Sequence, residues 1–119
     1  MGLSDVDRAA LARRLAEDRV QTAARLAALE RTFAELVATA DLEPPDDEHD
    51  PDGTTAYERA QVTSLAAEAR VRLAALDEAL AAPEDLGTCR GCGGEVGHER
   101  LLAVPGTRVC VTCAATGHR

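Results

Sequence analysis

Apolar and small side chains recur at alternating spacings of four and three along the first third of the chain, with Arg19 the one charged residue in the row. The row comprises Leu15, Thr22, Leu26, Leu29, Phe33, Leu36 and Ala40. This period places the row on one face of a helix. Ser4 followed three residues later by Asp7 is a form of the capping box that begins helices. We therefore predict a helix from about Ser4 to Ala40.

A second row of the same kind follows a polar interval, at a spacing close to 3.5 residues. It consists of Val62, Ala66, Ala69, Leu73, Leu76 and Leu80. Thr55 with Glu58 three residues later predicts the start of a helix, and Pro83 predicts its end. The second helix is therefore predicted from about Ala56 to Ala82. Its spacing is typical of a coiled-coil seam rather than a broad core face.

Neither helix can bury its apolar row alone, so the two rows must pack against each other or against another chain. Folding the chain between them makes an antiparallel hairpin. The pairs expected to meet are Leu15 with Leu80, Leu29 with Ala66, and Leu36 with Ala60. We favour this hairpin, and a monomer, because the two heptad rows match in phase across a single turn. A larger bundle with another chain is the alternative.

The segment between the helices, Asp41 to Gly53, is strongly acidic and reads DLEPPDDEHDPDG. Because Pro44, Pro45 and Pro51 disfavour a continuous helix, we predict a tip loop over residues 41–55. Its acidic residues are Asp41, Glu43, Asp46, Asp47, Glu48, Asp50 and Asp52. Without these seven charges the net charge of −8 becomes −1, so the acidity of the chain belongs to this tip.

Composition limits both the fold and the partners. The chain has 119 residues, of which 2% are aromatic, too few for the thick core of a sandwich, barrel or doubly wound sheet. The fold is therefore predicted to be mainly α. An acidic chain argues against nucleic acid or a membrane as the main partner. No stretch free of charged residues exceeds ten residues, which excludes a membrane span and a signal peptide and leads us to expect a cytoplasmic protein.

The last third of the chain holds all four cysteines. We predict that it forms a separate unit over residues 86–119, which follows a coiled coil over residues 1–85. They form two Cys-x-x-Cys pairs, Cys89 with Cys92 and Cys110 with Cys113, separated by seventeen residues. Pairs at this separation predict one structural Zn²⁺ held by four thiolates, with no open coordination position. Short β-type runs at 95–96, 101–104 and 108–111 predict a β-hairpin between the pairs.

Other assignments of the cysteines fit less well. A redox dithiol normally lies in a βαβ unit, which this sequence does not predict. An iron–sulfur cluster is disfavoured because the spacing of the cysteines differs from the common ferredoxin patterns. The histidines His49, His98 and His118 lack the partner spacing of zinc ligands. No catalytic constellation is apparent, so we do not expect an enzyme.

The finger sequence LGTCRGCGGEVGHERLLAVPGTRVCVTC resembles that of the bacterial DksA/TraR zinc-finger proteins. It shares the glycines around the first cysteine pair, the Arg100-Leu101-x-Ala103-x-Pro105 run and the second pair. The resemblance implies a helical hairpin, a C4 finger and a C-terminal helix, which is short here because six residues follow Cys113. It also implies that the protein binds RNA polymerase rather than DNA. The coiled coil would enter the secondary channel, and its acidic tip would alter the lifetime of promoter complexes.

The resemblance transfers to the tip only in part. Well-known members carry Asp-x-x-Asp-x-Ala, which Asp47 and Asp50 fit, whereas Asp52 replaces the Ala. Counting back from Cys89 without a gap selects Asp46 and His49 instead. The candidate polymerase-acting residues are Asp46, Asp47, Asp50 and Asp52.

A second departure concerns the alarmone ppGpp, which well-known members bind together with the polymerase through basic residues. An ungapped alignment through the finger puts uncharged residues at those positions, namely Ala66, Ala69, Leu73, Val104 and Ala114. A phosphate-rich ligand needs Arg or Lys donors. We therefore expect weak or absent ppGpp dependence.

Three other functions stay open at this point. The chain would be a transcript-cleavage factor if the tip acids hold a catalytic Mg²⁺ in the same channel. A thiol redox or zinc-responsive sensor would use the cysteines directly. A DNA-binding zinc ribbon is disfavoured, because the finger segment carries a charge of only +2 before the −2 of a zinc–tetrathiolate cluster.

Overall fold

The computed structural model describes residues 3–42, 51–104 and 106–117. Its elements, in chain order, are α1 (Asp5–Leu42), α2 (Pro51–Ala81), a 3-10 turn (Pro83–Asp85), α3 (His98–Ala103) and α4 (Val111–Thr116). The predicted architecture is confirmed: a mainly helical chain in which a long helical hairpin precedes a zinc-finger region. Among the residues described, neither long helix has the uninterrupted apolar length that a membrane span requires.

Helix α1 begins where the sequence predicts. The Ser4 hydroxyl oxygen accepts the backbone N–H of Asp7 at 3.1 Å, and the Ser4 carbonyl accepts that of Arg8 at 2.8 Å. These contacts satisfy amide groups that have no partner inside the helix. The predicted cap is thus confirmed, and the helix continues two residues beyond the predicted end, to Leu42.

Helix α2 begins earlier than the sequence predicted. Its first residue is Pro51, so the predicted start at Ala56 and the predicted loop over 41–55 are wrong at this boundary. Proline is accepted in the first turn of a helix, because its fixed φ suits the helix and its missing N–H would have no partner there. Pro51 therefore starts a helix rather than breaking one, and Thr55 lies inside α2. Of the candidate tip residues, Asp52 falls in the first turn of α2, whereas Asp46, Asp47 and Asp50 lie outside the described residues.

The chain divides into two compact units, one formed by Met1–Val20 with Ala74–Arg119 and the other by Gln21–Leu73. In the first unit, the early turns of α1 pack against the last turns of α2. The buried residues there are Leu15, Leu76, Ala79 and Leu86, with Leu11, Ala12 and Leu80 packed around them. Leu15 is fully buried and Leu76 is 2% exposed, so these two leucines form the centre of this cluster.

A second apolar cluster of the same unit lies in the finger. It contains Cys89, Val96, Leu101 and Cys113, with Leu3, Leu11, Val109 and Cys110 packed against it. Leu11 contacts both clusters, so the base of the hairpin and the finger share one continuous core. That the coiled coil over 1–85 and the finger over 86–119 fold independently of each other therefore stays a prediction.

The second unit has a seam of smaller buried side chains. Thr22, Ala66 and Ala69 are buried there, and Leu29 and Ala66 line the same groove. Phe33 is 38% exposed, so this predicted seam residue covers the edge of the interface rather than its centre. An exposed ion pair of 3.1 Å joins Glu30 to Arg70. Such a pair adds little to stability in water, so burial of the small side chains contributes more to holding this unit together.

Among the described residues of the finger, the predicted β-hairpin is not found. Within the described residues the finger has one isolated antiparallel bridge, between Thr88 and Glu95, and the predicted run 101–104 mostly belongs to α3. The sequence HERLLA of α3 is rich in helix formers, and their preference outweighs the short apolar run that indicated a strand. Gly97, with φ of +102°, ends the extended segment just before the helix. The predicted short C-terminal helix is confirmed as α4.

Gly87 lies between the 3-10 turn and the first cysteine pair of the finger. Its replacement by alanine tests how much the backbone conformation and the packing at this position contribute to stability. It has φ of +90°, and a Cβ built there would lie 3.0 Å from Cδ1 of Leu3. We expect Gly87→Ala to destabilise the zinc-loaded protein by about 2 kcal/mol in urea unfolding, from backbone strain plus this contact. Gly93→Ala shares a positive φ, of +78°, but meets no atom within 4 Å, and is expected to cost about 1 kcal/mol. Equal losses for the two variants would show that the Leu3 contact contributes nothing.

Candidate metal centre

The four cysteines predicted to bind zinc come together at one point of the finger. The Sγ atoms of Cys89, Cys92, Cys110 and Cys113 all lie within 4.8 Å of one another, and those of Cys92 and Cys110 are 3.9 Å apart. A tetrahedral zinc site with Zn–S bonds of about 2.3 Å requires sulfur–sulfur distances of about 3.8 Å. The arrangement therefore fits one zinc ion, for which these side chains would supply all four ligands.

The first cysteine pair is formed by a tight turn. The carbonyl of Cys89 accepts the N–H of Gly93 at 2.8 Å, and the N–H of Cys89 donates to the carbonyl of Gly94 at 2.7 Å. The N–H of Gly91 points inward and donates to Cys89 Sγ at 3.3 Å. Glycine is favoured at position 93, where φ is positive, so the local sequence supports this turn.

The second cysteine pair lies at the start of α4. Cys110 is the N-cap residue, and its Sγ accepts the N–H of Cys113 at 3.5 Å. A spacing of three residues on one helical turn directs both thiols to the same side. The N–H of Cys110 also donates to Cys89 Sγ at 3.3 Å, which connects the second pair directly to the first.

The sulfur atoms differ in their readiness to ionise. The pKa of the Cys89 thiol is lowered to about 6, chiefly because the N–H of Cys110 donates to its sulfur, with further N–H donors at Cys92 and Gly91. The pKa of the Cys113 thiol is raised to about 12, because it donates a hydrogen bond to Cys89 and because it is buried. A metal ion must therefore displace the Cys113 proton, so metal affinity is expected to fall as the pH falls.

Arg100 holds the segment that carries Cys110, although sequence reasoning gave it no separate role. Its Nε donates to the carbonyl of Val109 at 2.8 Å, and its Nη2 lies 3.5 Å from the hydroxyl of Thr107. The Thr107 hydroxyl also donates to Val109 at 3.2 Å. The family resemblance of the Arg100-Leu101 run was the one sequence signal that could have found this residue.

The histidines do not join the cysteine cluster as far as the chain is described. His98 is the first residue of α3 and is exposed, and His49 and His118 lie outside the described residues. Among the described residues, no other group of three or more cysteine, histidine or acidic side chains is arranged to hold a metal. The site that the structure supports is therefore the four-cysteine centre.

Comparison with known proteins agrees with this site and this fold. Residues 84–116 match the family model described as prokaryotic dksA/traR C4-type zinc finger, which confirms the resemblance in the finger. The chain is similar to the structure of transcription factor DksA2 from Pseudomonas aeruginosa, with a TM-score of 0.77 and 23% identity. The match covers 96% of this chain and 84% of that one. At this identity the likeness establishes the fold alone. A comparison with curated proteins found no match to the sequence of the chain.

Proposed function

We propose that this chain, which carries a dksA/traR C4-type zinc finger after a long helical hairpin, regulates transcription by binding RNA polymerase. The observation that carries the proposal is the combination of this finger with a fold similar to a transcription factor over 96% of the chain. In the family that the finger resembles, the hairpin enters the secondary channel of the polymerase and its tip acts near the catalytic centre.

The zinc centre has a structural role in this proposal. Cys89, Cys92, Cys110 and Cys113 would fill all four positions around the ion and leave none for a substrate or water. The ion would hold the finger together where its apolar core is small. Because such a site offers no position for catalysis, we propose a non-enzymatic regulator. We further propose that it works as a cytoplasmic monomer and makes no sequence-specific DNA contacts.

The acidic segment around Asp47 and Asp50 is proposed to act on the polymerase. Seven like charges in thirteen residues repel one another, whereas the rest of the chain carries a net charge of only −1. A charged target, such as a bound Mg²⁺ or a basic lining, explains this concentration better than solubility does. The alternative is a solvated turn without a target.

The double variant Asp47→Asn with Asp50→Asn tests this role. We expect it to retain its fold, zinc content and polymerase binding, because binding would come mainly from the sides of the hairpin and from the finger. Its effect on the lifetime of promoter complexes should be lost. The measurement is the decay of open complexes formed by purified polymerase with and without each variant.

A matched control removes two acidic charges from another exposed part of the chain, the 3-10 turn, through Glu84→Gln with Asp85→Asn. This control should behave like the parent protein. If a variant of Asp46 and His49 loses the effect and the Asp47/Asp50 variant does not, the register is shifted by one residue. Cleavage of backtracked transcripts by the parent would favour a cleavage factor, and full activity of every tip variant would refute a role for the tip.

Weak or absent ppGpp dependence is the second consequence of the proposal. Among the positions aligned with the family's basic residues, Ala66 and Ala69 are buried and Val104 is 46% exposed. None of them offers a charged donor to a phosphate. The measurement is transcription by purified polymerase with this protein, with ppGpp and with both. Little or no synergy between the protein and ppGpp is expected. Strong synergy would contradict this expectation: if it disappears when these positions are changed, the inference from their lack of charge is wrong, and if it persists, the alignment is wrong.

A further inference from the structure

A single carboxylate on α2 contacts both halves of the metal centre. Arg90, which lies inside the first cysteine pair, directs its Nη1 to Glu78 Oε1. Arg108, two residues before Cys110, places its Nη1 3.4 Å from the same oxygen and 3.3 Å from the Glu78 backbone carbonyl. Glu78 therefore receives one guanidinium from the neighbourhood of each cysteine pair.

The two segments that carry these arginines are also joined through their backbones. The N–H of Arg90 donates to the carbonyl of Arg108 at 2.8 Å. Together with the two side-chain contacts, this bond closes a ring that runs from one cysteine pair to the other through Glu78. The Arg108 side chain is only 18% exposed, so water screens its contact less than that of Arg90, which is 53% exposed.

We propose that Glu78 is a positioning residue for the metal centre: it holds the two cysteine pairs at the separation that zinc requires, without touching the ion. Because the finger is expected to fold when the ion binds, the contacts of Glu78 with both arginines form in the zinc-loaded state and stabilise it relative to the zinc-free state, which raises affinity. The opposing effect is repulsion between the Glu78 carboxylate and the doubly negative zinc–tetrathiolate centre. Because the Glu78 side chain is 52% exposed, solvent screens that repulsion. The proposal rests on the metal centre and is independent of the polymerase.

The variant Glu78→Gln tests the proposal, because it keeps the shape of the side chain and removes its charge. We expect zinc to bind about two- to five-fold more weakly, the range that exposed charge pairs support. Affinity is measured by competition with a chromophoric chelator, and zinc release to excess chelator should be faster. The thermal unfolding of the zinc-free protein should stay unchanged, whereas a general loss of stability would lower it.

A matched control comes from the neighbouring acidic residue. Asp77 lies on the same helix, is 49% exposed and pairs with Arg19 of α1 instead of the finger. The variant Asp77→Asn should therefore bind zinc as tightly as the parent protein.

The variant Arg108→Gln provides a second test from the finger side. It should also weaken zinc binding. The loss in the double variant should be smaller than the sum of the two single losses, because both changes break the Glu78–Arg108 contact, whereas only Glu78→Gln removes the contact with Arg90. Parental zinc affinity in Glu78→Gln, an equal loss in Asp77→Asn, or simple additivity with Arg108→Gln would each overturn the proposal.

Discussion

Removal of zinc is expected to unfold the finger and to loosen the first turns of α1, while the unit formed by Gln21–Leu73 stays folded. In the finger cluster, two of the four buried residues are the ligands Cys89 and Cys113 themselves. Without the ion little apolar contact holds this segment, so metal binding must supply much of its folding free energy. Leu3 and Leu11 pack on this cluster and lose that support with it.

Circular dichroism with and without a strong chelator measures the result. Most of the helical signal should persist, because α1 and α2 have 38 and 31 residues whereas α3 and α4 have six each. Hydrogen exchange should become faster in the finger and around Leu11. The variant Cys89→Ser serves as the control and should already show these changes, with no further response to chelator. Loss of most of the helix would contradict an independent hairpin, and absence of zinc from the purified protein would refute the site.

Truncation of Leu15 is expected to be the most destabilising single change in the helical hairpin. Its side chain is fully buried against Leu76, Ala79 and Leu86. Leu15→Ala removes this contact and leaves a cavity, at a cost of about 2–4 kcal/mol in the free energy of unfolding. Urea unfolding of the zinc-loaded protein measures this cost.

Leu102→Ala is the matched control for Leu15→Ala, because it makes the same chemical change at a side chain that is 56% exposed. It should alter stability by no more than about 0.5 kcal/mol. A small loss for Leu15→Ala, comparable with that of Leu102→Ala, would mean that the cluster of the first unit does not stabilise the hairpin.

The features that sequence reasoning found are those encoded by neighbouring residues. The heptad spacing predicted α1, α2 and the burial of Leu15 and Leu76, because a helix places residues three and four apart on one face. The two Cys-x-x-Cys pairs predicted the cluster for a similar reason, since each pair forms its turn within a few residues. Two of the predicted pairs lie together, since Leu80 packs against the cluster of Leu15 and Leu29 lines a groove with Ala66, whereas the pairing of Leu36 with Ala60 stays a prediction.

Predictions were wrong where one residue or run is compatible with two local structures. Pro51 was interpreted as a helix breaker. Proline is also a favourable first residue of a helix, and α2 begins at Pro51. The run 101–104 is a short apolar run that is compatible with a strand or a helix, and the structure places it mainly in α3. Neighbouring residues alone do not decide between such alternatives.

The sequence by itself determined the helical class, the seam and the four candidate zinc ligands, since periodicity and ligand spacing are local properties. Only the tertiary structure decided which distant residues support the metal centre. Leu11 joins the hairpin core to the finger core, and Glu78 on α2 meets Arg90 and Arg108 across separations of twelve and thirty residues. No motif connects these residues along the chain, because their contacts arise only when helices and turns pack together.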